Sequence, residues 1–326
     1  MRVFVTGGTG LLGNAVLREL DAAGHDSVAL VRSNCDSVVF EGIDTEFVSG
    51  DLLDRDLITD VVQDCDAVIH AAGLIHLGWQ RLQESMRVNC EGTQIIVDAC
   101  LQHSSKLIHV GTVNTLAVGT REKPADELTP CGNAGGQVPC SYVLSKKAGV
   151  EAVKKGVEQG LHAVIIAPGY MLGPWDWKPS SGRMMLALSK GWKVIAPSGG
   201  CSVCDVRDVA AATIRAVNKD MSSGREFILA GENMTYKRLW ACMAQRFGQR
   251  APLMSAGPLQ RRFIAAMGDV ISRIYREPDF NSAAVKMSSQ YHWYDSSRAE
   301  QELGYKPRHV QQTLDDAAAW LREKHM

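Results

Sequence analysis

Short apolar segments alternate with amphipathic segments along the first half of the chain. The short segments are apolar at consecutive positions and end at glycine or polar residues, which is typical of strands buried on both faces. The segments between them repeat apolar residues at the period of a helix. The predicted strands cover residues 3–6, 27–31, 45–48, 67–70, 107–110 and 163–166, and the predicted helices cover 11–23, 57–62, 87–101 and 141–159.

Strands that alternate with helices and are joined by short loops pair in parallel and place helices on both faces of one sheet. The pattern therefore predicts an α/β fold with a doubly wound parallel sheet of the Rossmann type. After residue 173 the pattern becomes mostly helical, with helices predicted over 184–190 and 205–217 and a strand over 227–230. We expect this second part to build a smaller, mostly helical C-terminal lobe.

A glycine-rich turn joins the first predicted strand to the first predicted helix. Gly7, Gly10 and Gly13 satisfy G-x-x-G-x-x-G, and a G-x-G-x-x-G match begins at Gly8. Glycines permit a tight turn, a close approach of backbone to a pyrophosphate, and close packing of helix on strand. The helix N-terminus then offers N–H groups and a positive dipole end to the phosphates. The turn therefore predicts a dinucleotide site.

The residue after the second predicted strand distinguishes between two dinucleotides. An NAD site usually places an acidic residue there to bind the ribose 2′-hydroxyl. This chain has Arg32, whose cation suits a 2′-phosphate, so NADP(H) is favoured. Asp36 follows four residues later and keeps NAD(H) open as the alternative.

Tyr142 and Lys146 lie four residues apart on a predicted helix, which places both on one face. A tyrosine with a pKa of about 10 is a poor proton carrier at neutral pH, but a nearby ammonium stabilises its phenolate. Such a pair is suited to exchange a proton with a carbonyl or hydroxyl oxygen while a hydride moves to or from a nicotinamide. The fifth predicted strand ends beside Thr112 and Thr115, and either hydroxyl is a candidate to hold the substrate oxygen.

Composition gives no support to several other classes of protein. The chain has 326 residues and a net charge of -1, so no basic excess draws it toward nucleic acid or a membrane surface. Nine cysteines are scattered, and although Cys201 and Cys204 form a C-x-x-C pair, nothing completes a metal site. We interpret them as loop cysteines of a reduced, cytoplasmic protein. The N-terminus lacks the features of a signal peptide.

Seven further landmarks occur in the order typical of one enzyme family. The chain resembles the extended short-chain dehydrogenases/reductases, within the NAD-dependent epimerase/dehydratase superfamily, and most of all the dihydroflavonol-4-reductase-like group. Beyond the glycine turn and the tyrosine–lysine pair, the matching segments are residues 50–52, 70–73, 89–93, 168–174, 205–210, 294–299 and 303–307.

The resemblance implies a catalytic set of Thr112, Tyr142 and Lys146. The family usually has two serines where this chain has Gly111 and Thr112, and counting back from Gly119 selects Asn114 instead of Thr112. The expected cofactor contacts are Gly7, Thr9, Gly10, Leu11, Leu12, Gly13, Arg32, Asp51, Leu52, Ala71, Ala72, Gly73, Asn89, Tyr142, Lys146, Pro168, Gly169, Met171 and Leu172.

The resemblance also implies an organisation in two parts and a possible homodimer. We expect the NADP-binding Rossmann domain to comprise residues 1–172 and about 201–231. The substrate-binding lobe is expected from about 173–200 and 232–326. Dimer contacts are expected through the helices predicted over 87–101 and 141–159.

The predicted surroundings of the substrate are apolar or aromatic, which suits an uncharged small molecule. Substrate contacts are predicted at His76, Trp79, Tyr170 and Trp175, after the fourth and sixth strands. The helix from Phe263 to Ile274 is a candidate to close this pocket, but we expect it to pack instead as ordinary core of the lobe.

Three functions agree with these observations. The favoured one is an NADP(H)-dependent oxidoreductase that interconverts a carbonyl and a secondary alcohol. The alternatives are an NAD-dependent sugar-nucleotide epimerase or dehydratase, and a non-catalytic nucleotide-binding regulatory protein. The tyrosine–lysine pair argues against the last, because a regulator does not need it. The presence of Ala167 and Tyr170 where sugar-nucleotide epimerases usually have Arg and Asn argues against the second.

Overall fold

The centre of the molecule is a seven-stranded parallel sheet, as the sequence predicts. The computed structural model describes residues 1–131, 137–274 and 281–326. The sheet has the strand order β10-β6-β5-β4-β1-β2-β3. Its strands are β1 (Arg2–Thr6), β2 (Asp26–Val31), β3 (Glu46–Ser49), β4 (Ala67–His70), β5 (Lys106–Val110), β6 (Ala163–Pro168) and β10 (Arg225–Leu229).

Helices cover both faces of this sheet, and a separate apolar core lies on each face. One core packs α1 and α7 against the sheet, and the other packs α2, α4 and α5 against it. The α/β fold class is therefore confirmed. The helices are α1 (Leu11–Ala22), α2 (Arg55–Gln63), α3 (Leu82–Met86), α4 (Gly92–His103), α5 (Ser141–Glu158), α6 (Arg183–Ser189), α7 (Val206–Asn218), α8 (Tyr236–Arg246), α9 (Pro258–Ile274), α10 (Ser282–Met287), α11 (Ser297–Leu303) and α12 (Val310–His325).

The second half contains more strand than its sequence pattern predicts. A small sheet joins β7 (Tyr170–Leu172), β9 (Gly200–Asp205), β11 (Glu232–Thr235) and β13 (Tyr291–His292), and β8 (Ile195–Ala196) pairs with β12 (Met254–Ser255). The prediction that Cys201 and Cys204 lie in a loop is wrong, because both are buried on β9. The glycine, serine and cysteine residues of β9 do not form the apolar run that identifies a buried strand. All nine cysteines are free thiols.

The helix predicted over 87–101 begins with a π-helical turn, and a further short helix precedes it. α3 ends at Met86, the turn covers Arg87–Glu91, and α4 begins at Gly92. Such turns insert one extra residue into a helix and occur often at functional sites. Here the turn places the Asn89 side chain between the loop after β4 and helix α5.

A buried carboxylate and a guanidinium connect α7 to the segment that leads into α12. The Arg308 side chain donates to Asp208 Oδ1 at 2.6 and 2.9 Å, and the Arg308 backbone N–H donates to Asp208 Oδ2 at 2.7 Å. The Arg308 Nε also lies 3.6 Å from Asp205, whose side chain is fully buried. Separating the two groups would leave the Asp208 carboxylate buried without a partner, at a large cost in free energy. The contact therefore holds the start of α12 against α7.

We predict that Arg308→Met lowers the free energy of unfolding by about 3 kcal/mol, because it leaves Asp208 buried without its guanidinium partner. The matched control is Arg55→Met, which breaks an exposed pair with Asp98 and is expected to cost less than about 1 kcal/mol. Urea unfolding followed by circular dichroism measures both values. Equal losses in the two variants would contradict the assignment.

Candidate active site

A cavity of about 730 Å³ opens at the carboxyl ends of the central strands. In open parallel sheets this edge is where ligands bind. The cavity is bounded by the glycine turn on one side and by residues of α8, α9 and α10 on the other. The predicted site residues that line it are Gly7, Gly10, Leu11, Leu12, Gly13, Ala71, Gly73, Thr112, Tyr142, Lys146, Pro168, Gly169, Tyr170 and Met171.

The glycine turn forms a cradle that side chains would fill. Gly7 has a φ of +79°, and a Cβ there would lie 2.6 Å from the backbone nitrogen of Ala72. A Cβ on Gly13 would overlap the Gly7 carbonyl group. No side chain caps the N-terminus of α1, so its first N–H groups face the cavity beside Leu11. This arrangement fits a pyrophosphate.

Tyr142 lies in the first turn of α5, and its hydroxyl interacts with the hydroxyl of Thr112. Burial raises the pKa of the Tyr142 phenol, and the hydrogen bond with Thr112 opposes that rise. Thr112 also accepts the Asn114 N–H at 3.3 Å and begins a short 3₁₀ turn. Of the three candidates after β5, Thr112 is the one whose side chain interacts with the tyrosine. Asn114 also lines the cavity, whereas Thr115 donates back to the Thr112 carbonyl.

Lys146 is one turn further along α5, and only 6% of it is exposed. Its Nζ donates to the Val110 carbonyl oxygen at 2.6 Å, at the end of β5. Burial lowers the pKa of Lys146 to about 8. The lysine therefore remains mostly charged at physiological pH, but it can lose its proton at a much lower pH than an exposed lysine does.

Two buried histidines of the sheet, His70 on β4 and His109 on β5, lie near Lys146 of α5. Burial lowers the pKa of His70 to about 3, and the charge of Lys146 adds to this effect. The pKa of His109 is also lowered, first by burial and then by the charge of Lys146. The His70 ring is hydrogen-bonded between Thr6 and Thr93, at 2.7 and 3.1 Å. Both rings are neutral at physiological pH, so neither adds positive charge beside the lysine.

Asn89 fixes the position of α5. It accepts the Leu74 N–H at 2.7 Å, and its Nδ2 donates to the Leu74 carbonyl and to Ser145 Oγ, each at 2.9 Å. Ser145 directly precedes Lys146, so this contact sets the register of the lysine. The His76 carbonyl accepts the Tyr142 N–H at 3.2 Å and anchors the start of the same helix.

Several predicted cofactor residues lie outside the cavity lining. Arg32 and Asp51 are exposed, and Asp51 accepts the Leu53 N–H at 2.9 Å within its own turn. Leu52 packs where α4 begins, close to Gly92. The predicted cofactor residues that do not line the cavity are Thr9, Arg32, Asp51, Leu52, Ala72, Asn89 and Leu172.

Three of the four predicted substrate residues also lie outside the lining. His76 is buried behind α5, and the Trp79 indole donates to Ser282 Oγ at 2.7 Å on the surface. The Trp175 ring lies against the Arg18 guanidinium, 5.0 Å from its centre, on the other side of the glycine turn. Tyr170 does line the cavity, and its hydroxyl donates to the Ser181 carbonyl at 2.5 Å.

The structure adds lining residues that sequence reasoning missed. They come from late segments of the chain, which carry no motif that relates them to the glycine turn. Asn281 caps α10 and donates to the Leu77 carbonyl at 2.8 Å, and so joins α10 to the loop after β4. The missed residues with polar side chains are Lys178, Ser180, Ser181, Arg183, Ser198, Ser202, Tyr236, Trp240, Arg261, Asn281, Ser288 and His292.

Within the described residues, no three histidine, cysteine, aspartate or glutamate side chains lie together in a way that could hold a metal ion. None of the helices in the described parts of the chain has the length and apolar character needed to cross a membrane.

The doubly wound sheet, the glycine cradle and the tyrosine–lysine pair define a dinucleotide-binding enzyme. The chain belongs to the NAD-dependent epimerase/dehydratase family, whose model matches residues 3–230. The resemblance to extended short-chain dehydrogenases/reductases is thereby confirmed, and the protein is an NAD(P)-dependent oxidoreductase of this family.

Two curated relatives and one solved structure are similar over the whole length. "Putative dihydroflavonol 4-reductase" of Synechocystis sp. is 31% identical and covers 98% of this chain and 94% of its own. "Sterol demethylase protein B" of Methylococcus capsulatus is 27% identical and covers 100% of both chains. The crystal structure of gox2253 has a TM-score of 0.85 and 30% identity, covering 99% of this chain and 98% of that chain.

We predict that Lys146 changes from charged to neutral near pH 8 in the cofactor-free protein, because burial without a carboxylate partner disfavours its ammonium form. ¹³C-labelled lysine provides the measurement, through the pH dependence of the side-chain carbon shift. The resonance is assigned by its loss in Lys146→Arg. A lysine that stays fully charged two pH units above this midpoint would contradict the buried placement.

Proposed function

We propose that the protein is an NADP(H)-dependent oxidoreductase that interconverts a carbonyl and a secondary alcohol on a small, apolar or aromatic substrate. The observation that carries this proposal is that Thr112, Tyr142 and Lys146 line the same cavity as the glycine cradle. A proton donor and a dinucleotide site in one enclosed space are the two requirements of carbonyl reduction.

The side chains have separate roles in this proposal. A bound nicotinamide supplies or accepts the hydride. Burial keeps Tyr142 protonated at neutral pH, which is the state that donates a proton to a carbonyl oxygen. Thr112 orients that oxygen beside the phenol through its hydroxyl. In the opposite direction, a charged Lys146 stabilises the phenolate that removes the proton from an alcohol.

The cofactor preference is supported by two cations near the end of β2. Arg32 is exposed there, while the Asp36 carboxylate accepts the Val38 N–H at 3.1 Å and is used within its own turn. Lys178 lines the cavity from the loop after β7. Burial raises the pKa of the neighbouring Cys35 thiol; the charge of Lys178 opposes that rise, the charge of Asp36 adds to it, and the charge of Arg32 opposes it. Two cations and one carboxylate therefore act on the end of β2, and we assign the 2′-phosphate to the two cations.

The substrate class is supported by the character of the cavity. Leu77, Met184 and Ile264 contribute apolar surface, and Tyr170 and Trp240 contribute rings. Pockets of this kind bury uncharged ring systems and orient them with a few polar groups. The names of the sterol and flavonol relatives agree with an apolar substrate.

We predict that Arg32→Ala and Lys178→Ala each weaken NADPH binding about tenfold, because each removes a charge-assisted contact to phosphate. NADH binding is expected to stay unchanged, since NADH lacks the 2′-phosphate. Isothermal titration with both nucleotides gives the ratio of affinities. Arg55→Ala, on α2, is the control for a general loss of positive charge. An unchanged ratio in both variants, or NAD retained tightly by the purified protein, would contradict the NADP(H) assignment.

We predict that Tyr142→Phe abolishes turnover and leaves NADPH affinity within about twofold, because the phenyl ring keeps the packing and only the proton-donating hydroxyl group is lost. Thr112→Val is expected to lower turnover by about a hundredfold, as loss of an orienting hydroxyl does elsewhere. NADPH oxidation with a panel of cyclic and aromatic ketones measures turnover. Ser141→Ala, at the neighbouring position of α5, is the control. Undiminished turnover in Tyr142→Phe would remove this residue from the mechanism.

A further inference from the structure

Helix α9 exposes its apolar residues instead of burying them. The exposed positions recur in adjacent pairs every four residues, so they form one continuous face of the helix. Leu259 is 80% exposed, Phe263 68% and Val270 55%. A surface helix of a globular protein shows the opposite arrangement, with its apolar stripe toward the core. The exposed residues are Pro258, Leu259, Arg262, Phe263, Ala266, Met267, Val270 and Ile271.

A polar contact joins the inner face of α9 to α10, because Asp269 accepts the Ser282 N–H at 2.8 Å. Gln260 accepts the Gly257 N–H at 2.7 Å and so caps the start of α9 itself. Arg261 and Ile264 line the cavity. The prediction that the Phe263 region packs as core is therefore wrong. The inner side of the helix presents Ile264 and Arg261 to the cavity and Asp269 to α10, and its wider apolar side faces outward.

The apolar surface continues beyond α9 onto β8 and β12. Leu253 is 62% exposed and Met254 48%, in the segment just before α9, and the Leu253 N–H donates to the Val194 carbonyl at 2.9 Å. Half of the large apolar side chains exposed among the described residues lie within residues 192–194 and 253–271. We call this surface the α9 face, and it comprises Trp192, Val194, Leu253, Met254, Leu259, Phe263, Met267, Val270 and Ile271.

The charges around the α9 face are almost all positive. Residues 190–194 and 250–272 contain five basic side chains and one acidic side chain, in a chain whose net charge is -1. The acidic one is Asp269, which is turned inward to α10. Lys190, Lys193 and Arg262 are exposed at the border of the apolar surface. The Arg250 guanidinium lies over the Trp192 ring, 5.9 Å from its centre.

We propose that the α9 face docks on the surface of a bilayer that contains anionic phospholipid. An exposed apolar helix face with leucine, phenylalanine and tryptophan side chains, bordered by lysine and arginine, is the arrangement of interfacial helices. The apolar side chains enter the level of the headgroups, and the cations bind the lipid phosphates. The helix lies on the membrane and does not cross it. This proposal departs from the expectation, drawn from net charge, that the chain has no membrane partner.

A second copy of the chain is a poorer occupant of the same surface. Twofold symmetry would place one α9 face against another and bring Arg262 and its neighbouring cations together. Like charges that meet in this way are repulsive at an interface. An anionic membrane buries the apolar surface and also pairs its phosphates with the positive border.

Docking by α9 has a consequence for the cavity. Because Ile264 and Arg261 belong to the same helix, the lobe that closes the cavity would lie at the membrane surface. An apolar substrate dissolved in the bilayer would then reach the cavity without crossing water. This route rests on the proposed function, whereas the docking itself does not, so docking is tested without a substrate.

The test is co-flotation of the purified full-length protein with liposomes. Liposomes of equal parts phosphatidylglycerol and phosphatidylcholine are expected to carry the protein upward, and liposomes of phosphatidylcholine alone to carry much less of it. The variants Leu259→Asp and Phe263→Asp are expected to lower the bound fraction about tenfold, because a charge enters the apolar layer. The control is Leu128→Asp, which alters an equally exposed leucine outside the α9 face.

Two further readouts separate loss of docking from other causes. Melting temperature and NADPH affinity are expected to match the unaltered protein, because both substituted side chains are exposed. Equal flotation of Phe263→Asp and Leu128→Asp would overturn the proposal, as would a failure of the unaltered protein to float. A dimer in light scattering that Phe263→Asp dissociates, without any flotation, would assign the α9 face to a second copy and also overturn it.

Discussion

The seating of α5 on the carboxyl ends of β4 and β5 is the constraint on which the site depends. The Lys146 ammonium reaches the Val110 carbonyl at 2.6 Å, and Asn89 holds the preceding residue, Ser145, at 2.9 Å. These contacts fix the rotation of the helix, and the rotation brings the Tyr142 hydroxyl to Thr112. A helix turned by one residue would bury both side chains against the sheet or expose them to water, and no proton donor would remain in the cavity.

The electrostatics of the site follow from the same burial. Apolar strands surround Lys146 and the two histidines, so the histidines stay neutral and the lysine has a pKa of about 8. In the protein alone, burial raises the pKa of Tyr142, although the sequence suggested that the lysine would lower it. The phenol is thus a proton donor before any cofactor binds, and stabilising its phenolate requires additional positive charge.

The sequence predicted the central sheet and the glycine turn because both depend on local patterns. Apolar runs predict buried strands, and glycine spacing predicts a turn that side chains would block. Asn89 was found through family resemblance as a cofactor contact, whereas the structure shows it as a clamp on α5. A clamp of this kind depends on a π-helical turn that no periodicity reveals. Arg261 and Asn281 were missed because only tertiary folding brings them beside residues more than a hundred positions earlier.

The failure at Phe263 has a different physical origin. Helical periodicity identifies an apolar stripe correctly, but it does not say whether that stripe meets the protein core or something outside it. The composition also hid the local excess of cations, because acidic residues elsewhere in the chain cancel it. Exposure and position in the fold were needed to distinguish an outward apolar face from a buried one.

A crystal structure of the NADP⁺ complex tests the central claim most directly. The account predicts that the pyrophosphate lies against Gly10 and Gly13 at the start of α1, and that the nicotinamide ring lies beside Tyr142. The phenol oxygen is then expected within about 4 Å of the ring, so that the phenol and the nicotinamide can both reach the same carbonyl group of a substrate. A nicotinamide bound outside the cavity, or a Tyr142 hydroxyl turned away from it, would contradict the account.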